Sequence, residues 1–180
     1  PPRSTLFPYT TLFRSVYVSA SVGNDNSGTG TRQAPVQSIG KALEVAQTNS
    51  VPAICLSGEV YTGTITLVSG ISVYGGFDHA DADFPFRRKA SAVTTLNATG
   101  VGVIATQIDA ETHVEGLTIN VTAAAMPGSS TYGIRLSGGL GQLFVRFNTI
   151  TVADGADGAD GSNGAAPSPV TASNGNNGTN

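Results

Sequence analysis

His113-Val114-Glu115-Gly116-Leu117-Thr118-Ile119-Asn120-Val121 is the stretch that decides the fold, because the chain carries a second copy of it thirty-one residues later. The copy reads Phe144-Val145-Arg146-Phe147-Asn148-Thr149-Ile150-Thr151-Val152, and upstream Gly102-Val103-Ile104-Ala105 falls on Gly133-Ile134-Arg135-Leu136 at the same offset. Aliphatic positions recur while polar neighbours change. A repeat of this length with short strands in each copy is typical of a solenoid, in which each copy buries its apolar face only against the next.

Short runs rich in Val, Ile, Leu and Thr predict β-strands along most of the chain, separated by Gly and Ser. Hairpin signals such as Asn-Gly between alternating runs are missing from this region, which favours parallel pairing of successive copies. The predicted strands are 16–19, 53–57, 64–67, 71–74, 94–97, 101–106, 112–115, 117–121, 134–136, 143–145 and 148–152.

Alternation along the strands predicts which side chains fill the interior. We expect the inward positions of the first copy to be Val114, Leu117, Ile119 and Val121, with Val145, Asn148, Ile150 and Val152 stacked on them. Asn148 is the polar exception, and a buried amide there needs hydrogen-bond partners, most simply the backbone of a turn.

One helix is predicted near residues 38–47. Ser38 is a suitable N-cap, and the apolar residues that follow recur at helical spacing on one face. Pro52 comes shortly after the pattern ends, as is common beyond a helix C-terminus. The apolar positions are Ile39, Ala42, Leu43 and Ala46.

The N-terminal part of the chain resembles a known family. The order of Val16–Ser19, the Gly/Asn/Asp-rich turn 23–29 and the Pro-containing segment 34–43 resembles the opening of the right-handed parallel β-helix proteins of the pectin-lyase-like superfamily, closest to the DUF1565-type bacterial surface proteins. Residues 68–78 are similar to a following segment of that group. The resemblance implies an all-β fold, a right-handed parallel β-helix (solenoid) with a short N-terminal capping α-helix, in an extracellular or cell-surface setting.

The domain organisation predicted from the sequence has three parts. Residues 1–15 are expected to be an artefactual or disordered leader, since 5–15 resemble a translated sequencing adapter. Residues 16–153 form the β-helix domain, and the Gly/Asp/Asn-rich residues 154–180 are expected to be flexible. The chain is expected to be a fragment of a longer protein.

Composition excludes some classes of partner. Charged residues make up 12% of the chain and the net charge is −3, with 87–89 as the basic run, which disfavours nucleic acid and anionic membranes. No apolar stretch approaches the roughly 20 residues of a membrane-spanning helix. Cys55 is the single cysteine, so no disulfide framework is expected, and we interpret it as a small buried strand residue.

The strongest polar cluster comprises Glu111, His113 and Glu115, which share the outward face of the strand predicted at 112–115. Two carboxylates and an imidazole are able to serve acid–base chemistry on a polysaccharide. The alternative, which we favour, is a solvated ladder in which the repeat places Arg146 over Glu115 as a charge pair and Phe144 over His113. No catalytic residue is therefore predicted.

A second cluster comprises Asp78, Asp81 and Asp83. We interpret it as a loop between strands whose carboxylates are neutralised by the basic run at 87–89; the alternative is a Ca²⁺ site built on the three carboxylates. The spacing departs from a calcium-binding helix–loop–helix motif, and the calcium ligands of polysaccharide lyases have no match here. No cofactor other than this alternative Ca²⁺ is expected.

The sequence therefore predicts a non-catalytic secreted or cell-surface module, structural or adhesive, that contacts a polysaccharide or cell-surface glycan. The alternative is a polysaccharide lyase or glycoside hydrolase whose catalytic residues lie beyond the C-terminal end of this chain.

Overall fold

The structure is a computed structural model that describes residues 15–165 and Gly175. The predicted leader thus lies outside the described residues except for Ser15, which is the first residue of a strand. Of the predicted flexible segment, residues 154–165 are described and contain no helix or strand.

The described part of the chain is mostly β-structure with one short helix, as the all-β prediction requires. The helix α1 spans Ile39–Thr48. The strands are β1 (Ser15–Val18), β2 (Ala53–Ser57), β3 (Val60–Thr62), β4 (Ile65–Thr66), β5 (Ser72–Asp78), β6 (Arg87–Arg88), β7 (Thr94–Thr99), β8 (Val101–Ile108), β9 (Thr112–Glu115), β10 (Leu117–Thr122), β11 (Tyr132–Gly139), β12 (Leu143–Arg146) and β13 (Thr149–Val152).

The strands form three sheets, which we call A, B and C. Sheet A has the order β1-β2-β5-β9-β12 with β6 paired to β5, sheet B has the order β13-β10-β7-β3, and sheet C has the order β11-β8-β4. From β7 onward the chain visits the sheets in the repeating order B, C, A. Among the described residues every strand pair is parallel except β5–β6, so the predicted parallel pairing is confirmed.

Inward-facing side chains stack in columns because the strands pair in register. Val114 pairs with Val145, as predicted from the repeat. The column of sheet A is Val16, Ile54, Val73, Val114 and Val145, and that of sheet B is Tyr61, Leu96, Ile119 and Ile150. The column of sheet C is Ile65, Val103 and Ile134. The buried members of the three columns form one hydrophobic core, against which Ile134 packs. Burial of these aliphatic surfaces is the main driving force for the fold.

The last copy of the repeat is open on one side among the described residues. Val114, Ile119 and Val121 are buried, whereas their partners Val145 and Ile150 are 43% and 40% exposed. The side chain of Asn148 forms hydrogen bonds with the backbone of a turn, as expected. Its Oδ1 accepts from the Leu117 N–H at 2.9 Å and its Nδ2 donates to the Val114 carbonyl at 2.8 Å. The predicted role of Asn148 is confirmed.

Close packing explains why a glycine recurs at the start of each copy. A Cβ on Gly102 would lie 2.6 Å from the Gly133 carbonyl oxygen and 2.8 Å from Cγ2 of Ile119. A Cβ on Gly133 would meet Cγ2 of Ile150 at 2.5 Å. The glycine lets sheet C approach the inner column of sheet B, so a larger residue would push the two sheets apart.

The helix α1 packs against β1, β2 and β4 through Ala42, Leu43 and Ala46, which are buried. Ser38 caps it by accepting a hydrogen bond from the Lys41 N–H at 3.1 Å. The Asp25 carboxylate in the preceding turn accepts from the N–H groups of Gln37 and Ser38. The predicted helix and its cap are confirmed. No helix among the described residues is long and apolar enough to cross a membrane.

Two short strands were not predicted. β3 consists of three residues with exposed ends, and β6 of two exposed arginines that pair antiparallel with the end of β5. The residues of β3 favour a strand but the segment is only three residues long, and the two arginines of β6 have no such preference; tertiary pairing decides pieces this short.

Candidate functional site

The predicted polar cluster lies on the outer face of sheet A. In β9, Thr112 and Val114 are buried while His113 and Glu115 face outward, as the strand alternation predicted. Glu111 immediately precedes the strand and its side chain is 70% exposed. The structure therefore brings the three predicted side chains together on one surface.

His113 is held by both carboxylates at once. Its Nε2 lies 2.9 Å from Oε1 of Glu111 and its Nδ1 lies 2.9 Å from Oε1 of Glu115. The hydrogen bonds to Glu111 and then to Glu115 raise the pKa of His113, because they favour the imidazolium form. An imidazolium with both N–H groups directed at carboxylates has no lone pair with which to accept a proton from a substrate.

Aromatic rings extend the cluster along the stacking direction. The His113 ring stacks on Phe144 with centroids 4.9 Å apart, and the Tyr74 ring lies 6.1 Å away on the other side. Tyr74, His113 and Phe144 belong to three neighbouring strands of sheet A. Phe144 is the register partner of His113, as predicted from the repeat. Tyr74 is the register partner of Glu115 rather than of His113, so the three rings form a cluster that does not follow one row of the sheet.

The predicted charge pair between Glu115 and Arg146 is wrong. The two residues are register neighbours, as expected, but among the described residues no ion pair joins them. The Glu115 carboxylate binds His113 instead, and the Arg146 guanidinium lies over the Phe144 ring, 4.9 Å from its centroid. A cation over a ring face gains energy comparable to that of an exposed ion pair.

The acidic loop uses its carboxylates internally. Lys89 Nζ lies 2.8 Å from Oδ2 of Asp78 and 2.7 Å from Oδ2 of Asp81, and Arg87 lies 3.8 Å from Asp81. The hydrogen bond from Lys89 is the main reason why the pKa of Asp81 falls to about 2. Neutralisation by the basic run thus occurs as the preferred interpretation expected.

Asp83 contributes its backbone N–H to Asp81 rather than a carboxylate to a shared centre. Within the described ranges, no group of three or more His, Cys, Asp or Glu side chains is arranged to hold a metal ion.

Sequence reasoning missed a buried network around Glu59. The Glu59 carboxylate accepts from Ser19 Oγ at 2.7 Å, from the Ala20 N–H at 2.9 Å and from Ser57 Oγ. Burial opposes its ionisation, but these hydrogen bonds and one from Ser21 dominate and lower the pKa of Glu59 to about 2. The partners are up to 40 residues apart in sequence, so no local pattern signals them.

The Glu59 network continues inward to Tyr61. The Ser57 hydroxyl lies 2.7 Å from the Tyr61 hydroxyl, which donates to the Val18 carbonyl at 3.1 Å. Burial raises the pKa of Tyr61 to about 12. The network ties the N-terminal turn to the corner between β2 and β3, so we assign it a structural role.

Sequence reasoning also missed a polar array on the outer face of sheet B. The outward side chains of its four strands stand in rows across the sheet because the strands pair without a register shift. We call this surface the Thr/Asn array; its members are Val60, Thr62, Thr95, Asn97, Thr99, Thr118, Asn120, Thr122, Thr149 and Thr151. The signal was present as a second offset of 23 residues, which aligns 94–99 with 117–122.

Concave features lie elsewhere. A groove of about 560 Å³ separates α1 from β3 and β4, and its lining is mostly apolar and hydroxyl side chains. Glu111, His113, Glu115 and Arg146 line neither this groove nor three smaller ones of the described residues. The predicted cluster lies apart from these grooves, on the outer face of sheet A.

Comparisons with protein-family models, with curated proteins and with solved structures found no match to this chain.

Proposed function

We propose that this chain is a right-handed parallel β-helix module of a secreted or cell-surface protein, structural or adhesive in role. In this proposal it is not an enzyme, requires no cofactor and contacts a polysaccharide or cell-surface glycan along the outer face of sheet A. The observation that carries the proposal is the cluster of the Tyr74, His113 and Phe144 rings with charged side chains beside it.

Strand order supports the β-helix part of the proposal. The chain passes through sheets B, C and A in turn, and each new strand pairs in parallel with the strand of the preceding passage, as in β10 on β7 and β13 on β10. A winding chain of this kind stacks its passages about 4.8 Å apart, the spacing of neighbouring strands. The resemblance of residues 16–43 to the pectin-lyase-like superfamily supplies the handedness and the extracellular setting.

The state of His113 supports a binding role over a catalytic one. General acid–base catalysis needs a group that exchanges a proton with the substrate. Both nitrogens of His113 are engaged by Glu111 and Glu115, and these hydrogen bonds raise its pKa, which favours the imidazolium form. The cluster is thus suited to holding a fixed arrangement of charges.

A glycan is the partner that suits this surface. Glu111 presents an exposed carboxylate and Arg146 a guanidinium that lies over the Phe144 ring, and both form strong hydrogen bonds with hydroxyl groups. Ring edges between them give apolar contact for the C–H faces of sugar units. The open surface accommodates an extended chain without requiring an enclosed end.

Binding to a panel of immobilised polysaccharides and a glycan array tests the proposal. We expect retention of the wild-type chain on at least one glycan and a loss of affinity of about tenfold in Arg146→Ala and in Glu111→Gln. Arg135→Ala is the matched control. Arg135 is also an exposed arginine, but it lies in β11 of sheet C, so its substitution should leave the affinity for the glycan unchanged.

Two results would contradict the proposal. Release of sugar products that Glu115→Gln abolishes would show that the cluster is catalytic. Equal loss of affinity in Arg135→Ala and Arg146→Ala would show that general positive charge, rather than the outer face of sheet A, retains the glycan.

A further inference from the structure

We propose that the Thr/Asn array on sheet B is an ice-binding surface, which contacts the neutral hydrogen-bonded water lattice of ice. The inference goes beyond the proposed glycan contact, since it concerns another face of the molecule and another partner.

The array repeats in two directions. Thr95, Thr118 and Thr149 occupy one row across the strands, and Asn97, Asn120 and Thr151 occupy the next. Neighbouring strands place side chains about 4.8 Å apart, and alternate residues along one strand place them roughly 6.6 Å apart. A face of an ice crystal presents water oxygens at regular distances in two directions. A protein surface whose side chains also repeat at regular distances in two directions can contact many of these oxygens at the same time.

Side-chain contacts hold the array in position. Thr99 Oγ1 lies 3.1 Å from Thr122 Oγ1, and Asn120 Nδ2 donates to Asn97 Oδ1 at 3.2 Å. Threonine is also restricted at χ1 because it is branched at Cβ. Little conformational entropy is then lost when the surface becomes ordered against a solid.

The absence of charged side chains from the array suits contact with the neutral lattice of ice. None of its ten members carries a charge: seven are threonines, two are asparagines and one is Val60. A charged side chain keeps a strongly oriented hydration shell that differs from the water arrangement in ice. The absence of charge from the array therefore favours an uncharged partner.

Contact with ordered water requires an apolar group and a hydrogen-bonding group, and threonine has both. Its methyl group restricts the orientation of neighbouring water molecules, and its hydroxyl group anchors them by hydrogen bonds. Thr62, Thr99, Thr122, Thr149 and Thr151 are exposed, so threonine side chains in each row of the array reach solvent. The Thr122 hydroxyl also donates to the Ala98 carbonyl at 3.2 Å, which leaves its oxygen as an acceptor for water.

A glycan is the less suitable occupant of this face. Aromatic rings, which provide apolar contact for sugar units, are located on the outer face of sheet A at Tyr74 and Phe144, while the array contains none. The array also lacks the ionised side chains that bind sugar hydroxyls strongly.

Inhibition of ice recrystallisation by the full chain tests the inference, with Thr118 as the central position. We expect the wild-type chain to stop the growth of small ice crystals. Thr118→Lys should require about tenfold more protein for the same inhibition, because it places a charge in the middle of the array. Thr118→Val keeps the shape and the methyl groups and should retain more activity than Thr118→Lys.

Thr106→Lys is the matched control. Thr106 is an exposed threonine of sheet C that is also paired with a neighbouring hydroxyl, that of Ser137 at 3.2 Å. Its substitution should leave inhibition within about twofold of wild type, and Arg146→Ala should do the same. Circular dichroism and thermal unfolding of each variant establish that the fold is retained.

Three outcomes would overturn the inference. The first is inhibition by the wild-type chain no greater than that of an unrelated protein at equal concentration. The second is an equal loss in Thr106→Lys and Thr118→Lys. The third is retention on a neutral polysaccharide that Thr118→Lys abolishes while ice growth is unaffected, which would assign the array to a glycan. None of these depends on the outcome for sheet A, because Arg146→Ala separates the two faces.

Discussion

The outer faces of sheets A and B differ although both sheets cover the same core. Sheet A presents rings and charges at Tyr74, His113 and Arg146, and its register shifts between Cys55 and Ser57. Sheet B presents the uncharged Thr/Asn array, and its four strands keep one register throughout. Parallel pairing thus determines the spacing of side chains on both faces, while the identity of the outward residues determines the chemistry of each face.

Removing a core side chain beneath sheet B should have the largest effect, because both faces depend on the shared columns. Ile119 is fully buried, and Ile119→Ala should lower the free energy of unfolding by about 3 kcal/mol. Ile150 pairs with Ile119 but is 40% exposed, so Ile150→Ala should cost about 1 kcal/mol. Urea denaturation measures both. Equal losses would show that the last copy is as well covered as the one before it.

The corner that joins sheet A to sheet B depends on Glu59. Glu59→Gln removes the carboxylate that Ser19 and Ser57 bind, and should lower the stability at neutral pH by about 2 kcal/mol after allowance for partial solvation. Glu44→Gln is the control, since its pair with Lys41 is exposed, and it should cost less than about 0.5 kcal/mol.

The pH dependence of this corner follows from the lowered pKa of Glu59. A carboxyl group whose pKa is lowered in the folded state stabilises the fold above its ordinary value of 4.5 and loses this contribution as the pH falls towards about 2. Wild-type stability should therefore fall over this range. Glu59→Gln should show a smaller fall, and an unchanged pH profile in the variant would contradict the assignment.

A smaller effect is expected where the chain turns from sheet A to sheet B in the last copy. Phe147 occupies the repeat position of Gly116, has φ of 55° and is 83% exposed. Phe147→Gly should raise the stability by about 1 kcal/mol, because a left-handed backbone is unfavourable for a residue with a Cβ. Gly116→Ala should have the opposite sign, since Gly116 has φ of 75° and a Cβ there would also lie 3.1 Å from the Gly75 carbonyl oxygen. Thermal unfolding distinguishes the two directions.

The smallest effect on stability is expected from the titration of His113. This titration also distinguishes the outer face of sheet A from that of sheet B. A group whose pKa is raised in the folded state stabilises the fold below its ordinary value of 6.5, and this contribution is lost as the pH rises through the raised pKa. NMR titration of the ring should show the raised pKa, and Glu111→Gln should lower it. The Thr/Asn array contains no titratable group, so its signals should not shift. A His113 pKa unchanged by Glu111→Gln would contradict the paired geometry.

Much of the fold was predictable from the sequence because its apolar residues recur at regular intervals. The offset of thirty-one residues predicted the pairing of Val114 with Val145 and the hydrogen bonds of Asn148, and helical spacing predicted α1. In these places local pattern and tertiary packing agree. β3 escaped prediction because it is only three residues long, and β6 because its two arginines form a strand only by pairing with β5.

The candidate site was less predictable. Alternation placed Glu111, His113 and Glu115 on one face, but the charge pair with Arg146 was wrong because two interactions competed for the same groups. The spacing of residues in the sequence shows which side chains lie next to one another. It does not decide which of several nearby partners a side chain binds. The Glu59 network joins residues from distant segments, so it emerges only when the turns are folded together.

The most direct measurement of the stacking on which both faces depend is a methyl NOE experiment on the valine-labelled chain. Parallel stacking in register predicts methyl contacts from Val73 to Val114 and from Val114 to Val145, in a continuous series along the inner column of sheet A. Absence of the contact between Val114 and Val145, or close Hα–Hα contacts typical of antiparallel strands between β9 and β12, would contradict it.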